Sequence, residues 1–287
     1  MIIKSKKELD ILREGGKRLA LILACIARRA IPGVKTRELD DLAEKLILEA
    51  EGKPSFKGYK TFSAPTPYPA SLCVSINDEV VHGIPSDKIL KTGDVVGLDI
   101  GMEYEGLFTD TATTILIAAD HLTDGPLISP SARSRNANPP PAAISEVSAA
   151  LRDEANRLIT ATKKSLEIGI AEVKAGVHVG DIGYAIQKYL EGEGFGVIRE
   201  LVGHGVGRAV HEEPEIPNWG MRGEGPVLRE GEVIALEPMA TEKGYKVKVA
   251  KDRWTWVTRD GSRAAHFEHT LVVTKNGSEV LTRNTNN

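Results

Sequence analysis

The stretch GVKTRELDDLAEKLI (Gly33–Ile47) returns later in the chain as GVHVGDIGYAIQKYL (Gly176–Leu190). Without a gap, Leu39, Leu42, Ala43, Leu46 and Ile47 fall opposite Ile182, Ala185, Ile186, Tyr189 and Leu190. Apolar residues at i, i+3, i+4, i+7 and i+8 form one face of an amphipathic helix, so both copies predict a helix. Upstream, Leu12-Arg13 and Leu19 resemble Leu151-Arg152 and Leu158 at the start of another long helix. Each half of the chain thus opens with two helices joined at a break, Gly33 or Gly176.

The second part of each half also repeats. GDVVGLD (Gly93–Asp99) matches GEVIALE (Gly231–Glu237): a turn glycine and an acid, a β-type apolar run, then a carboxylate. Further on, Phe108-Thr109-Asp110-Thr111 resembles Phe267-Glu268-His269-Thr270, and short apolar runs follow both. Asp99 and Asp110 flank a turn containing Gly101 and Gly106, which predicts a hairpin with one acid on each arm. Two similar halves packed about a pseudo-twofold axis bring equivalent carboxylates together at the centre. The predicted class is α+β: an antiparallel or mixed sheet with helices on one face. Residues 1–287 are expected to fold as one domain, with halves at about 1–118 and 144–287.

The segment 119–143 between the halves is rich in Pro, Ser and Asn and has no periodicity, so it reads as a surface excursion, with His121 solvated. Of the 287 residues, 41% are hydrophobic and 27% charged, as in a soluble globular protein. A net charge of −3 supplies no global basic field for nucleic acid. Two cysteines, Cys25 and Cys73, are too few for a disulfide framework and read as reduced thiols in a cytoplasmic protein. The apolar run Leu19–Ala27 has nine residues, well short of the roughly 20 that span a bilayer, so it predicts a buried helix.

Asp99, Asp110, His204, Glu237 and Glu268 share a chemical logic. Asp99 and Glu237 each end an apolar strand-like run, and Asp110 and Glu268 open the partner strands. Converging carboxylates repel unless something cancels their charge. Two divalent cations about 3.5–4 Å apart, bridged by carboxylates, would do so. Taken singly, Asp99 or Asp110 reads equally as a turn acid beside glycine, and Glu237 as a strand end before Pro238. In GHGVGRAVHEEP (Gly203–Pro214), the glycines let backbone pass close to a metal or ligand. His204 is the natural nitrogen ligand there and His211 a second convergent group. The spacing is not that of a helical HExxH site, and a nucleotide loop would need a Walker lysine that is absent. His82, in VHGIP (Val81–Pro85), mirrors His204-Gly205 and either lines the site or packs at a strand end.

These motifs, with Tyr68-Pro69, Ser71, Cys73, Ser75-Ile76-Asn77, GLDIG (Gly97–Gly101), IALEPM (Ile234–Met239) and FEHT (Phe267–Thr270), make the chain resemble the type I methionine aminopeptidases. These belong to the "pita-bread" metalloenzymes, and the resemblance covers nearly everything outside 119–143. It implies a pita-bread fold and a metal site of Asp99, Asp110, His204, Glu237 and Glu268, with Asp110 and Glu268 bridging. It implies that His82 and His211 contact the peptide and that Glu237 moves the proton. It also implies that a water activated by two ions releases an initiator methionine. Four carboxylates and one imidazole suit Co, Mn, Fe(II) or Zn. Tyr68, Cys73, Val210 and Trp254 are candidates for the methionine pocket or for simple core packing. Val210 stands where the family commonly has a larger aromatic, and 119–143 is longer than the family's link.

Two rivals follow from the same residues. One is an Xaa-Pro aminopeptidase or prolidase, although those enzymes carry a sizeable extra N-terminal domain and Asp99 is reached too early to leave room for it. The other is an inactive pita-bread module that binds peptides, histones or RNA, although such modules lose ligands and all five are present. The expected partners are nascent polypeptide N-termini, at the ribosome or free of it, with no nucleic acid specificity and no membrane. A chain with its own pseudo-twofold axis is expected to be a monomer.

Overall fold

A computed structural model describes residues 1–61, 64–118 and 142–283, the side chains of 142–148 aside. Two long helices open the chain, α1 (Lys6–Arg29) and α2 (Thr36–Glu49). Five strands follow: β1 (Lys53–Pro54), β2 (Leu72–Ile76), β3 (Glu79–Val81), β4 (Val95–Tyr104) and β5 (Leu107–Leu116). The second half opens with α3 (Ala142–Glu172) and α4 (Val179–Gly192), so its first helix begins ahead of residue 144. Then come β6 (Gly196–Val197), β7 (Gly203–Gly205), β8 (Glu212–Ile216), β9 (Val233–Leu236) and β10 (Met239–Thr241). Last are β11 (Val247–Val249), β12 (Trp256–Thr258), β13 (Ala264–His266), β14 (Glu268–Val273) and β15 (Ser278–Val280). His121 and most of the expected excursion lie outside the described residues.

The helical repeat is reproduced down to its caps. Gly33 and Gly176 adopt φ of 94° and 89°, values that favour glycine. Their amides donate to Leu90 O and Leu228 O, at 2.9 and 2.8 Å. The carboxylates of Glu38 and Asp181 reach back to accept the Lys35 and His178 N–H groups, each at 3.2 Å. This is the return half of a capping box. One match fails. Leu12 is 1% exposed but Leu151 is 51% exposed. Counting back from the two glycines instead sets Leu12 opposite Ala155, which is fully buried.

The helices pack on a nine-stranded sheet, in the order β1-β4-β5-β14-β9-β7-β8, with β2 also on β4 and β15 on β14. Every pairing in it is antiparallel. Each half supplies its own core. Leu19, Ile26, Leu39 and Ile47 pack on Leu98 and Ile100 in the first. Leu158, Leu166, Ile182 and Ile186 pack on Leu236 and Leu271 in the second. Leu19–Ala27 lies within α1 and contributes to that core, as expected for a buried helix.

The two halves meet where β5 pairs with β14, at Glu268↔Ala112 and His269↔Thr111. Threonine hydroxyls extend this seam. Thr270 Oγ1 accepts the Asp110 N–H at 2.9 Å and donates to Asp110 O at 2.8 Å. Thr114 Oγ1 does the same for His266, accepting its N–H at 2.9 Å and donating to its carbonyl at 2.7 Å. Thr111 Oγ1 donates to Glu268 O at 2.9 Å.

Candidate functional site

Strand alternation aims the acids. In β4, Leu98 and Ile100 face the helices, so Asp99 between them faces the opposite side of the sheet. It lies in the middle of the strand, not at its end, and Asp110 likewise lies inside β5. Gly101 is a strand residue paired with Asp110; the hairpin turns instead at Glu105 and Gly106, with φ of 46° and 82°. A Cβ on Gly101 would meet Ser55 Oγ at 2.2 Å, so its lack of a side chain admits the Ser55–Phe56 segment. Glu237 follows β9 directly and Glu268 opens β14.

The tetrapeptides Phe108–Thr111 and Phe267–Thr270 do not correspond residue for residue. That alignment sets Asp110 against His269, yet Asp110 and Glu268 line the same cavity. His269 is on the other face, with Nδ1 3.0 Å from Thr282 Oγ1. A one-residue offset inverts every side chain in a strand, so shape similarity misled by one position.

His204 sits in β7, opposite Ala235 of β9. Its glycine neighbours serve packing between strands and not approach to a ligand. A Cβ on Gly203 would meet Ala235 O at 2.5 Å, and one on Gly205 would meet Glu213 O at 2.2 Å. The His204 Nδ1 lies 2.9 Å from Gly205 O, which makes it the protonated nitrogen and leaves the Nε2 lone pair free.

The five residues converge on one cavity of about 590 Å³. One ligand atom from each of Asp110, His204 and Glu268 lies within 4.8 Å of the others. Glu237 Oε1 is 3.5 Å from His204 Nε2. Burial pushes Asp99 up to about 7, with Glu237 adding to the rise and His266 opposing it. Burial, then Asp99 and Glu237, holds Asp110 well above the usual range. Burial does the same to Glu237 and, with Asp110 next, to Glu268. His204 is pushed down to about 3, chiefly by burial. Asp99 Oδ1 and Asp110 Oδ1 are buried without a hydrogen-bond partner among the described residues. Acceptors left this way fit cations, and the oxygen-rich donor set with one imidazole suits divalent first-row ions.

The remaining expected residues are distributed unevenly. His211 lines the cavity, its ring 4.3 Å from that of His204 and its Nδ1 2.8 Å from Tyr59 Oη. His82 also lines it, at a φ of 57° that a non-glycine side chain adopts only at some cost. Burial pushes its pKa down to about 4. Tyr68, Cys73 and Trp254 form an apolar wall, with Tyr68 and Trp254 edge to face at 5.2 Å. Their polar tips are turned away: Tyr68 Oη donates to Gly83 O at 3.0 Å and Trp254 Nε1 to Thr66 O at 3.0 Å. Val210 belongs to the same apolar cluster but does not line the cavity.

The family model for metallopeptidase family M24 matches residues 10–133 and 141–275. The chain belongs to metallopeptidase family M24. Among M24 relatives, methionine aminopeptidase 1 of Bacillus subtilis (strain 168) is 40% identical over 283 residues, covering 99% of both chains. The methionine aminopeptidase of Clostridium acetobutylicum is also 40% identical over 283 residues, covering 98% of both. The crystal structure of the methionine aminopeptidase from Thermotoga maritima superposes with a TM-score of 0.83 at 38% identity, covering 99% of this chain and 100% of that one. A prolidase from Pyrococcus horikoshii shares the fold, with a TM-score of 0.67 at 22% identity, and this chain covers 63% of it. The M24 assignment and these neighbours agree with the pita-bread architecture.

Three further residues of the candidate site carry no motif of their own. Tyr59 orients His211, and Phe56 adds to the apolar wall. His266 is buried against Glu237, its Nε2 3.4 Å from Glu237 Oε2. The signal for His266 is its two-residue step from Glu268, a spacing that shares one face in a continuous strand, although here the chain breaks at Phe267 between β13 and β14.

Proposed function

We propose that this M24 chain is a methionine aminopeptidase that releases the N-terminal initiator methionine from nascent proteins and peptides, using two divalent cations. One observation carries the reading: four buried carboxylates and a neutral imidazole converge beside an apolar wall of Tyr68, Cys73 and Trp254. Asp99, Asp110, His204, Glu237 and Glu268 would hold the ions. When bound, the cations neutralise the acids, lower the pKa of water and polarise the scissile carbonyl.

The chain's own groups do the rest. Glu237 accepts a proton and returns it to the leaving amine. Tyr59 occupies His211 Nδ1, which leaves Nε2 to face the peptide, and a donor there stabilises charge developing on the carbonyl oxygen. His82, neutral because burial lowers its pKa, holds the peptide backbone beyond the cut. Tyr68, Cys73, Trp254 and Phe56 receive the thioether side chain, and a flexible methionine fills such a recess well.

Residues 1–287 act as one catalytic domain, because the ligands come from both halves. The native ion is Co, Mn, Fe(II) or Zn. A cytoplasmic monomer acting on nascent chains fits two cysteines that are both free and the lack, among the described residues, of any helix long and apolar enough to cross a membrane. The test compares hydrolysis of Met-Ala-Ser with Leu-Pro and Ala-Pro peptides after loading with each metal, alongside metal content per chain. Preferential release of methionine with near two ions bound supports the reading. Preference for the proline peptides, or no bound metal, overturns it.

A further inference from the structure

We infer that His266 is a positioning residue for Glu237, donating its Nε2–H to Glu237 Oε2 and thereby keeping Oε1 turned toward His204 and the cavity. Resting on the metallopeptidase reading above, this adds a residue outside the ligand set.

Glu237 lies between two imidazoles, one at each oxygen. Oε1 is 3.5 Å from His204 Nε2 and Oε2 is 3.4 Å from His266 Nε2. His204 has its Nδ1 committed to Gly205 O, so its Nε2 is an acceptor and cannot donate to the carboxylate. His266 is the nitrogen donor on the other side. Its Nε2 is buried and has no hydrogen-bond partner among the described residues, a state that costs free energy and calls for an explanation. A few tenths of an ångström of side-chain adjustment makes the hydrogen bond.

The backbone of His266 is fixed to a degree that suits the role. Thr114 Oγ1 accepts its N–H and donates to its carbonyl, and the residue pairs with Met239 in the β10–β13 ladder. Met239 is two residues from Glu237, so the same short ladder anchors the imidazole and the carboxylate. A carboxylate that must both hold a cation and move a proton gains from having one oxygen held.

The test compares wild type with His266→Gln, which keeps a donor, and His266→Leu, which keeps the bulk alone. Each is measured for Mn2+ affinity by calorimetry, for kcat and KM on Met-Ala-Ser, and for thermal stability. Loss of such an outer partner lowers metal affinity or activity by about 10–100-fold. The expected result is that loss in His266→Leu, in affinity and kcat with KM little changed, and recovery to within about fivefold of wild type in His266→Gln, one ordinary hydrogen bond's worth. Equal affinity and kcat in wild type and the leucine variant would overturn the inference, as would equal impairment of both variants. A second measurement needs no variant: long-range 1H–15N correlation on the wild-type protein should show the Nε2–H tautomer of His266, and the Nδ1–H tautomer would refute it. If wild type itself binds no metal and leaves methionyl peptides intact, the functional reading fails instead, and the two failures are distinct.

Discussion

Replacing Asp99 with asparagine should stabilise the metal-free protein above neutral pH and leave it unchanged in acid. In the fold, burial holds the Asp99 carboxyl up at about 7, against an ordinary value of 3.8. A folded-state pKa above the unfolded one means that the folded chain keeps the proton longer as pH rises. The stability of this group is therefore intact below about pH 4, falls as pH climbs toward 7, and stays low beyond it. At 1.36 kcal/mol per pH unit, the complete penalty is about 4 kcal/mol. Asparagine has the same shape and never ionises, so it escapes this penalty. Urea unfolding in chelator, followed by circular dichroism from pH 4 to 8.5, should show the variant ahead by up to about 4 kcal/mol at the alkaline end and level at the acid end. Asp110 and Glu268 share in the relief, since charge on Asp99 raises the pKa of both. Saturating Mn2+ should reverse the order, because ligand binding stabilises the wild type by mass action while the variant has lost a ligand. A metal-free variant no more stable than wild type at pH 8, or a gap that does not close toward pH 4, would refute the account of the acids as an uncompensated buried charge cluster.

Exhaustive chelation should abolish methionine release, and Co2+ or Mn2+ should restore it; full activity in chelator contradicts the metal requirement. His211→Ala should lower kcat about 100-fold, as for loss of one oxyanion donor, with little change in KM. Tyr59→Phe removes the partner of His211 Nδ1 and should cost about fivefold, one ordinary hydrogen bond; no change in kcat would show that His211 needs no such anchor. Trp254→Ala should raise KM for methionyl peptides by removing one wall of the recess, checked by initial rates over a substrate series. Gly101→Ala forces a Cβ to within 2.8 Å of the Phe56 ring and 2.2 Å of Ser55 Oγ. It should cost about 1–3 kcal/mol by overpacking, read as a lowered melting temperature.

How far the sequence discloses this molecule depends on which residues are asked. The helical repeats are legible because one face is apolar and the other wet, so Leu39 and Ile182 announce themselves by spacing. Asp99 was harder to place along its strand. Most of β4 is buried on both faces, so no polar alternation marks where the strand runs, and Asp99 reads as its end although it lies at its middle. The insertion between Glu237 and Glu268 was not foreseen either. Strands β10 to β13 have three residues each, too few for a period to show. The four acids and one histidine of the candidate centre stand out by repetition and motif, not by any property of the residues singly. His266 was missed because a histidine before Phe267 carries no sign of burial until strand direction is known. Of the glycines in Gly203–Pro214, Gly203 and Gly205 make room for neighbouring backbone and Gly207 for the Met1 side chain, where the motif suggests approach to a ligand.

The seam between β5 and β14 has a consequence for how tightly the cradle can close. Only two residue pairs bridge it directly, and the stitches at Asp110, Glu268 and His266 are single hydroxyl oxygens. Thr270→Val exchanges one oxygen for a methyl group at nearly constant volume, yet it unties both bonds to Asp110. The seam beside the candidate ligands can thus be loosened without replacing any of them, while the β3–β12 pairing still ties the two halves together elsewhere.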